Sequence, residues 1–254
     1  MNEYFHFSLF LRSFVNFVFP LGNCRLCGEK VEFGFPQICF SCLKKRRKIS
    51  GAVCNVCGRE IAEGANIQTC GECLTSRPSY ERHISVYGYE GAIREMVLAF
   101  KVLKRYPFYR IFGKSVARNV KRNLQSIRFD FVTFVPTPYT RRILRGFSPA
   151  ELIAKKCAKD LTIPIKNLLK LQKHPKPQKN LSAKQRKENL KGAFACSERL
   201  NEKTVLLVDD IFTTGATIEE ASKVLKKSGA KVYAATFAMR RKRDVDMQKS
   251  GIED

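Results

Sequence analysis

Hydrophobic and polar positions alternate in a regular order between residues 83 and 239. Short apolar runs bounded by polar or turn-forming residues have the pattern of buried strands. Longer segments between them repeat apolar residues every three or four positions, which indicates amphipathic helices. The predicted strands are 83–89, 131–135, 192–196, 205–208 and 231–239, and the predicted helices are 91–103, 109–124, 149–159 and one beginning near residue 218. This order predicts an α/β fold in which a parallel sheet is flanked by helices.

The most informative stretch is TVLLVDDIFTTGAT at residues 204–217. Its apolar run leads into Asp209 and Asp210, and a turn of small and hydroxyl residues then opens a helix. The N–H groups of such a turn favour an anion, and the carboxylates can accept from sugar hydroxyls or face a hydrated cation. An ordinary strand–turn–helix is the alternative, but buried paired carboxylates are costly without a function. The predicted sugar-phosphate contacts are Asp209, Asp210, Thr213, Thr214, Gly215, Ala216 and Thr217.

This stretch resembles the ribose-5-phosphate motif of type I phosphoribosyltransferases, which bind phosphoribosyl pyrophosphate (PRPP). The resemblance implies a phosphoribosyltransferase-like domain over residues 81–239, with PRPP bound together with Mg²⁺. Asp209 and Asp210 are expected to contact PRPP and the cation first, and to act as catalytic residues only second.

Basic residues are expected to meet the diphosphate of PRPP. Arg142 and Arg145 follow the predicted strand 131–135, at the strand end where ligands of α/β folds collect, and arginine forks match phosphate oxygens. A surface helix start is the alternative reading of both. Lys101 is a further candidate by resemblance. The polar segment 171–189, with Gln178, Arg186 and Asn189, is expected to form a lid that excludes water.

Eight of the ten cysteines form four CxxC pairs, which predict a zinc module over residues 22–80. A redox dithiol is the alternative for one CxxC, but not for four. A closed four-sulfur site has no open coordination position, so one or two structural Zn²⁺ ions are expected. Spacing leaves open whether the pairs combine sequentially or in a crossed arrangement, and the reduced thiolates favour the cytoplasm. The predicted ligands are Cys24, Cys27, Cys39, Cys42, Cys54, Cys57, Cys70 and Cys73.

The two ends of the chain have distinctive compositions. Residues 1–21 are rich in Phe and Leu, but they lack a basic start and a cleavage site, and Arg12 interrupts a run too short to span a membrane. We expect an amphipathic helix that covers a hydrophobic face, with a membrane-surface or partner-facing role as the alternative. Residues 240–254 are expected to form a basic, flexible tail. No transmembrane segment is expected.

The formal net charge of +24 predicts a polyanionic partner, because Lys and Arg gain by releasing counterions from phosphates. A charged surface kept for solubility is the alternative. Five consecutive basic residues lie between the cysteine groups and are candidate nucleic-acid contacts, with a solvated face as the alternative. They are Lys44, Lys45, Arg46, Arg47 and Lys48.

Taken over nearly its whole length, the chain resembles the ComF family of competence proteins. The matching motifs are Cys24-x-x-Cys27-Gly28, Cys39-x-x-Cys42, Tyr89-x-Gly91, Phe100-Lys101, Val135-Pro136-Thr137-Pro138, Arg142, Arg145-Gly146-Phe147, Gln178, Leu181, Arg186, Asn189, 192–194 and 207–217. The resemblance implies a zinc module before a phosphoribosyltransferase-like domain, and a role in natural transformation on single-stranded DNA taken into the cytoplasm. Other DNA-uptake proteins are then expected partners.

Some positions depart from the usual family pattern. Thr137 replaces the second valine of VPVP, Ser148 replaces the asparagine of RGFN, and Lys173 and Pro175 stand where an Arg-x-Arg-x-Thr pattern is usual. No stretch indicates an acceptor for the ribose. Three hypotheses therefore stay open: a DNA-handling competence protein with PRPP as ligand, an active phosphoribosyltransferase on an unidentified acceptor, and a PRPP-sensing regulator of a protein or of duplex DNA.

Overall fold

The computed structural model describes residues 22–24, 26–31, 38–49, 51–61, 68–173 and 188–241. The helix predicted over 1–21, residues Gln178 and Arg186 of the predicted lid, and the tail from residue 242 lie outside this range. The chain divides into two compact units, Met1–Arg47 with Glu90–Arg105, and Lys48–Tyr89 with Tyr106–Asp254. Each unit contains four of the eight clustered cysteines, all of which lie within the predicted module over 22–80.

Regular secondary structure follows the predicted alternation from residue 82 onward. The strands are β1 (Gly22–Asn23), β2 (Lys30–Val31), β3 (Arg82–Gly88), β4 (Phe131–Phe134), β5 (Leu169–Leu171), β6 (Phe194–Cys196), β7 (Thr204–Phe212) and β8 (Lys231–Met239). The helices are α1 (Phe40–Lys44), α2 (Gly71–Thr75), α3 (Gly91–Lys101), α4 (Phe108–Asn123), α5 (Tyr139–Arg145), α6 (Pro149–Leu161) and α7 (Ala216–Lys227).

The first unit is small and contains the first cysteine group. Strands β1 and β2 pair antiparallel, and α1 contacts α3. Helix α3 buries Ile93, Val97 and Phe100, whose spacing places them on one face. Arg47 pairs with Glu90 at 2.5 Å within this unit. A metal bound by the first cysteine group would add its binding energy to the folding of this unit.

The second unit is built on a parallel sheet in the order β3-β8-β7-β4. Strand β7 lies inside the sheet, and its residues Val205–Val208 are fully buried, which explains why they form a continuous apolar run. The pairing places Asp209 opposite Thr236 of β8, and Thr236 opposite Ser85 of β3. The predicted parallel α/β fold is confirmed.

Helices cover both faces of this sheet. On one face α4 and α6 pack together, and Phe112 of α4 stacks on Phe237 of β8 with ring centroids 3.8 Å apart. On the other face Ile218 of α7 shares a core cluster with Val205 and Leu207 of β7. Successive strand residues point to opposite faces, so alternate residues of β7 pack into the core on each side of the sheet.

The second cysteine group is part of the core on the α7 face. Cys54, Cys57 and Cys73 belong to the same buried cluster as Leu207 and Ile218. These cysteines are therefore part of the core of the second unit, beside the sheet. A change at these cysteines would therefore disturb the packing around α7.

Local differences from the predicted elements concentrate around the site. Strand β7 continues through both acids to Phe212, and the segment expected to be a loop from residue 171 begins in β5, which pairs antiparallel with β6. Ser148 precedes α6 as predicted, but its hydroxyl bonds to Thr137 and not to the helix backbone. Among the described helices, none combines the length and apolar character needed to cross a bilayer.

Candidate functional site

The two acids of β7 lie near its carboxyl end and are half-buried. They are consecutive strand residues, so Asp209 lies on the α7 face and Asp210 on the α6 face. The carboxylate of Asp209 accepts a hydrogen bond from the backbone N–H of Asp210 at 2.8 Å. The two carboxylates therefore flank the strand end from opposite sides and are not interchangeable.

The loop Thr213–Gly215 connects β7 to α7 and is shorter than the predicted turn, because α7 already begins at Ala216. Gly215 is left-handed with φ of 85°, and a Cβ there would lie 2.6 Å from the Phe212 ring. Only glycine fits this close approach without strain. The N-terminal N–H groups of α7 then face the loop, which is an arrangement that favours a phosphate. Thr213, Thr214 and Thr217 are half-buried around it.

Arg142 and Arg145 lie in the segment that follows β4. The N–H of Val135 bonds to the carbonyl of Val208 at 3.1 Å, so this segment leaves the sheet directly beside Asp209. Burial lowers the pKa of Arg145, while the carboxylate of Asp210 counteracts part of that shift. Arg145 thus lies in the electrostatic field of Asp210, and its contact with a diphosphate stays a prediction.

Arg142 is more exposed than Arg145, and its guanidinium is 3.8 Å from Glu151. Both arginines belong to the short helix α5, and their contact with a diphosphate stays a prediction. Gly146 closes α5 with φ of 80°, and buried Phe147 packs its ring against Tyr106. A helical conformation is compatible with the predicted ligand role, because it orders the segment that contains both arginines.

The remaining predicted ligand contacts are only partly described. Lys101 is half-buried at the end of α3 in the first unit. Asn189 is half-buried in the second unit, and it is the described member of the predicted lid trio. Their contacts with a ligand stay predictions.

The cysteines group sequentially, which settles the pairing that spacing left open. Within each group, all four sulfur atoms lie within 4.8 Å of one another. The Sγ atoms of Cys27 and Cys39 are 3.5 Å apart, and those of Cys57 and Cys70 are 3.7 Å apart. A tetrahedral zinc with bonds of about 2.3 Å places its sulfurs about 3.8 Å apart. The donor atoms therefore fit zinc, in the groups Cys24, Cys27, Cys39, Cys42 and Cys54, Cys57, Cys70, Cys73.

Crowding splits the pKa values within each group. Burial raises the pKa of Cys24 and Cys54, but nearby backbone N–H donors outweigh it, so that their pKa values fall to about 6 and about 7. Burial and the neighbouring thiols raise the pKa of Cys42 and of Cys57 to about 12. Four thiolates cannot coexist so closely without a cation, which means that zinc binding would displace protons here.

The basic run at residues 44–48 is divided between the units, with Lys48 in the second. Arg46 donates to the carbonyl of Leu43, and Arg47 pairs with Glu90. Lys44 and Lys45 are exposed at the end of α1. The run is therefore a local structural element as well as a charged surface.

Lys48 lines a cavity of about 300 Å³ beside the edge strand β3. The cavity also receives Arg82 and Arg122, and the described lining contains no acidic residue. Arg122 donates a hydrogen bond to the side-chain oxygen of Asn119 at 3.0 Å, and Arg82 donates one to the carbonyl of Asn123 at 3.3 Å. Three cations around one opening suit an anionic group.

Sequence reasoning missed the residues that connect the second cysteine group to the phosphate loop. Arg59 donates to the carbonyls of Thr213 and Thr214 at 3.3 and 3.2 Å. Buried His83 stacks on Phe212, with centroids 4.1 Å apart. Arg59 follows a CxxCG knuckle, but nothing local in the sequence indicates a partner more than 150 residues away.

The chain is similar to known protein families and proteins over most of its length. Residues 145–252 match the model of the phosphoribosyl transferase domain, and residues 14–74 match that of the double zinc ribbon domain. Competence protein F of Haemophilus influenzae is 31% identical over 226 residues, covering 86% of this chain and 95% of that protein. DNA utilization protein YhgH of Escherichia coli K12 is 26% identical, covering 82% and 92%. Competence protein ComFC of Bacillus subtilis is 25% identical, covering 80% and 83%.

Solved structures that are similar to part of the chain include a purine phosphoribosyltransferase from Pyrococcus horikoshii, with a TM-score of 0.34 and 22% identity over 50% of this chain and 73% of that chain. Adenine phosphoribosyltransferase from Saccharomyces cerevisiae has a TM-score of 0.38 and 15% identity, covering 60% and 78%. The similarity to competence protein F covers most of both chains and extends into both matched domains. The chain belongs to the ComF family of competence proteins, with a phosphoribosyltransferase-like domain and a double zinc ribbon.

Proposed function

We propose that the chain binds PRPP at the carboxyl end of β7 and acts on internalised single-stranded DNA in the cytoplasm during natural transformation. One observation carries the PRPP part. The acids Asp209 and Asp210 lie near the carboxyl end of a central parallel strand, and a short loop with left-handed Gly215 leads from this strand to a helix N-terminus. Carboxylates that can accept from ribose hydroxyls, near N–H groups that can donate to a phosphate, support a sugar phosphate as the ligand.

Each part of the ligand has a matching group. The loop Thr213–Gly215 and the start of α7 receive the 5′-phosphate, and Asp209 and Asp210 accept from the ribose hydroxyls. Arg145, which lies in the field of Asp210, neutralises the diphosphate. Carboxylate oxygens beside a diphosphate are the hard ligands that Mg²⁺ prefers, so the acids would hold this ion, which supplies charge neutralisation.

Calorimetric titration with PRPP and Mg²⁺ tests this proposal. Asp210→Asn should weaken binding by about tenfold or more, because hydrogen bonds to a charged group are the stronger kind. Asp130→Asn is the matched control, since Asp130 accepts from the N–H of Thr204 at the opposite end of β7. Wild-type protein that binds neither PRPP nor ribose 5-phosphate would refute the proposal. A catalytic role of the two aspartates stays a prediction. Release of pyrophosphate from PRPP that requires both Asp209 and Asp210 would support it.

The DNA part rests on charge and on the relatives. The relatives are named for competence and for DNA utilization, and the chain has a net charge of +24. Lys48, Arg82 and Arg122 converge on one cavity without an acidic lining residue among those described. A phosphodiester is the anion that a strand offers repeatedly, and cations gain by releasing its counterions.

Binding of a fluorescent single strand as a function of salt tests the DNA part. Each lost phosphate contact should reduce the slope of log K against log salt by about 0.7. The triple change Lys48→Gln, Arg82→Gln and Arg122→Gln should lower both affinity and slope. The charge-matched control Lys226→Gln, Lys227→Gln and Lys231→Gln changes exposed residues outside the cavity. Equal losses in both variants would mean that only net charge matters, and no binding at low salt would exclude the DNA role.

A further inference from the structure

Arg59 joins the second cysteine group to the loop predicted to hold the 5′-phosphate. Its guanidinium lies over the Phe212 ring, 5.5 Å from the centroid, and donates to the carbonyl oxygens of Thr213 and Thr214. Both carbonyls belong to the three-residue loop between β7 and α7. One side chain thus contacts the loop at two successive peptide groups.

The knuckle of the second cysteine group fixes the backbone of Arg59. The N–H of Cys54 bonds to the carbonyl of Arg59 at 2.7 Å, and the N–H of Gly58 bonds to the carbonyl of Cys54 at 2.8 Å. Gly58 has φ of 69° and packs so closely on His83 that a Cβ would lie 2.6 Å from its carbonyl oxygen. The position of Arg59 therefore depends on the turn that presents Cys54 and Cys57 to a metal.

Two further contacts connect the same region to the loop and its helix. The Nδ1 of His83 lies 2.9 Å from the carbonyl of Cys57, while its ring stacks on Phe212. The N–H and the hydroxyl of Ser79 donate to Glu219, in the first turn of α7, at 2.8 and 2.9 Å. The loop is thus held at its start, along its length and just after its end.

The direction of the Arg59 hydrogen bonds explains what they achieve. A loop receives an anion when its N–H groups converge and its carbonyl oxygens point elsewhere. Arg59 binds the carbonyl oxygens of Thr213 and Thr214 and so keeps them turned toward the cysteine group. Without this donor the peptide groups can rotate, and the carbonyl dipoles would then repel a phosphate.

We propose that Arg59 is a positioning residue for the 5′-phosphate loop, and that zinc at Cys54, Cys57, Cys70 and Cys73 sets the affinity of this loop for ribose 5-phosphate. The ligand part rests on the proposed PRPP function. The second zinc is then a structural element of the sugar-phosphate site, in addition to stabilising the fold.

Binding of ribose 5-phosphate and of pyrophosphate, measured side by side, distinguishes a positioning role of Arg59 from a general loss of structure. Arg59→Ala should weaken ribose 5-phosphate by about tenfold, as expected for a lost hydrogen bond to a charged group, but change pyrophosphate binding less than about twofold. Arg59→Lys keeps one cationic donor and should recover part of the loss. Arg118→Ala on the exposed face of α4 is the control. Zinc content should stay unchanged in all three, and equal weakening of both ligands by Arg59→Ala would overturn the proposal.

The metal part is tested with one ligand from each cysteine group. Cys70 and Cys42 are both half-buried, so Cys70→Ser and Cys42→Ser form a matched pair. Each should lose one zinc per chain by metal analysis, but only Cys70→Ser should weaken ribose 5-phosphate. Equal affinities in the two variants would overturn the role of the second zinc.

Hydrogen exchange gives a readout that needs no ligand. In the full chain, amides of residues 212–219 should exchange faster in Arg59→Ala and in Cys70→Ser than in wild type, while amides of β8 stay protected. Unchanged exchange at 212–219 in Arg59→Ala would overturn the positioning role. If wild type fails to bind ribose 5-phosphate while exchange rises as expected, the proposed function fails and the positioning role stands.

Discussion

Gly215→Ala provides a quantitative test of the phosphate loop. Gly215 has φ of 85°, and a residue with a Cβ in this region costs about 1–2 kcal/mol. The added Cβ would also lie 2.6 Å from Phe212, whose ring stacks on His83. The substitution can act in two ways. Either the loop keeps its shape and the protein loses stability, or the loop relaxes and loses the geometry that receives a phosphate.

The two outcomes are measured separately, by urea unfolding and by calorimetric titration with ribose 5-phosphate. A cost of about 1–2 kcal/mol that appears in binding corresponds to a loss of about 5- to 30-fold in affinity. Gly229→Ala is the matched control, because Gly229 has φ of 92° at the other end of α7, and a Cβ there would lie 3.2 Å from the backbone nitrogen of Asn201. It should lose stability only. A Gly215→Ala protein with unchanged stability and unchanged affinity would refute the argument.

Three further predictions concern metal, core and loop closure. The purified full chain should contain two zinc ions, and Cys27→Ser should reduce this to one by metal analysis, because the groups are separate. Phe112→Ala should lower the free energy of unfolding by about 3–5 kcal/mol in urea, since Phe112 is fully buried against Phe237. Thr137→Val should lower it by about 1 kcal/mol, because buried Ser148 loses its hydroxyl partner, whereas the exposed change Thr140→Val should have little effect.

Sequence reasoning found the sheet and the phosphate loop because their signals are local. A continuous apolar run such as Val205–Val208 identifies a strand that is buried on both faces, and a glycine after hydroxyl residues identifies a tight turn before a helix. The last strand was predicted at its observed bounds, Lys231–Met239. The position of the acids at the end of a parallel strand follows from the same pattern.

Features that depend on packing between distant parts of the chain could not be predicted from the sequence. CxxC spacing identifies zinc ligands, but spacing alone contains no signal for the packing of Cys54, Cys57 and Cys73 against the sheet. The contact between Arg59 and Thr214 connects positions 155 residues apart. Strand β5 was missed because its three residues are too few to show a period. These features depend on the folded arrangement, since each involves a partner that is distant in the chain.

The two departures from the usual family motifs are in contact with each other. Thr137 stands where valine is usual and Ser148 where asparagine is usual, and their hydroxyl oxygens are 2.9 Å apart. A buried serine needs a hydrogen-bond partner, which a valine at 137 would not supply. The pair closes the segment that presents Arg142 and Arg145, since Thr137 precedes α5 and Ser148 precedes α6. The substitutions therefore compensate one another and leave the arginine segment anchored at both ends, so they do not weaken the case for a diphosphate site.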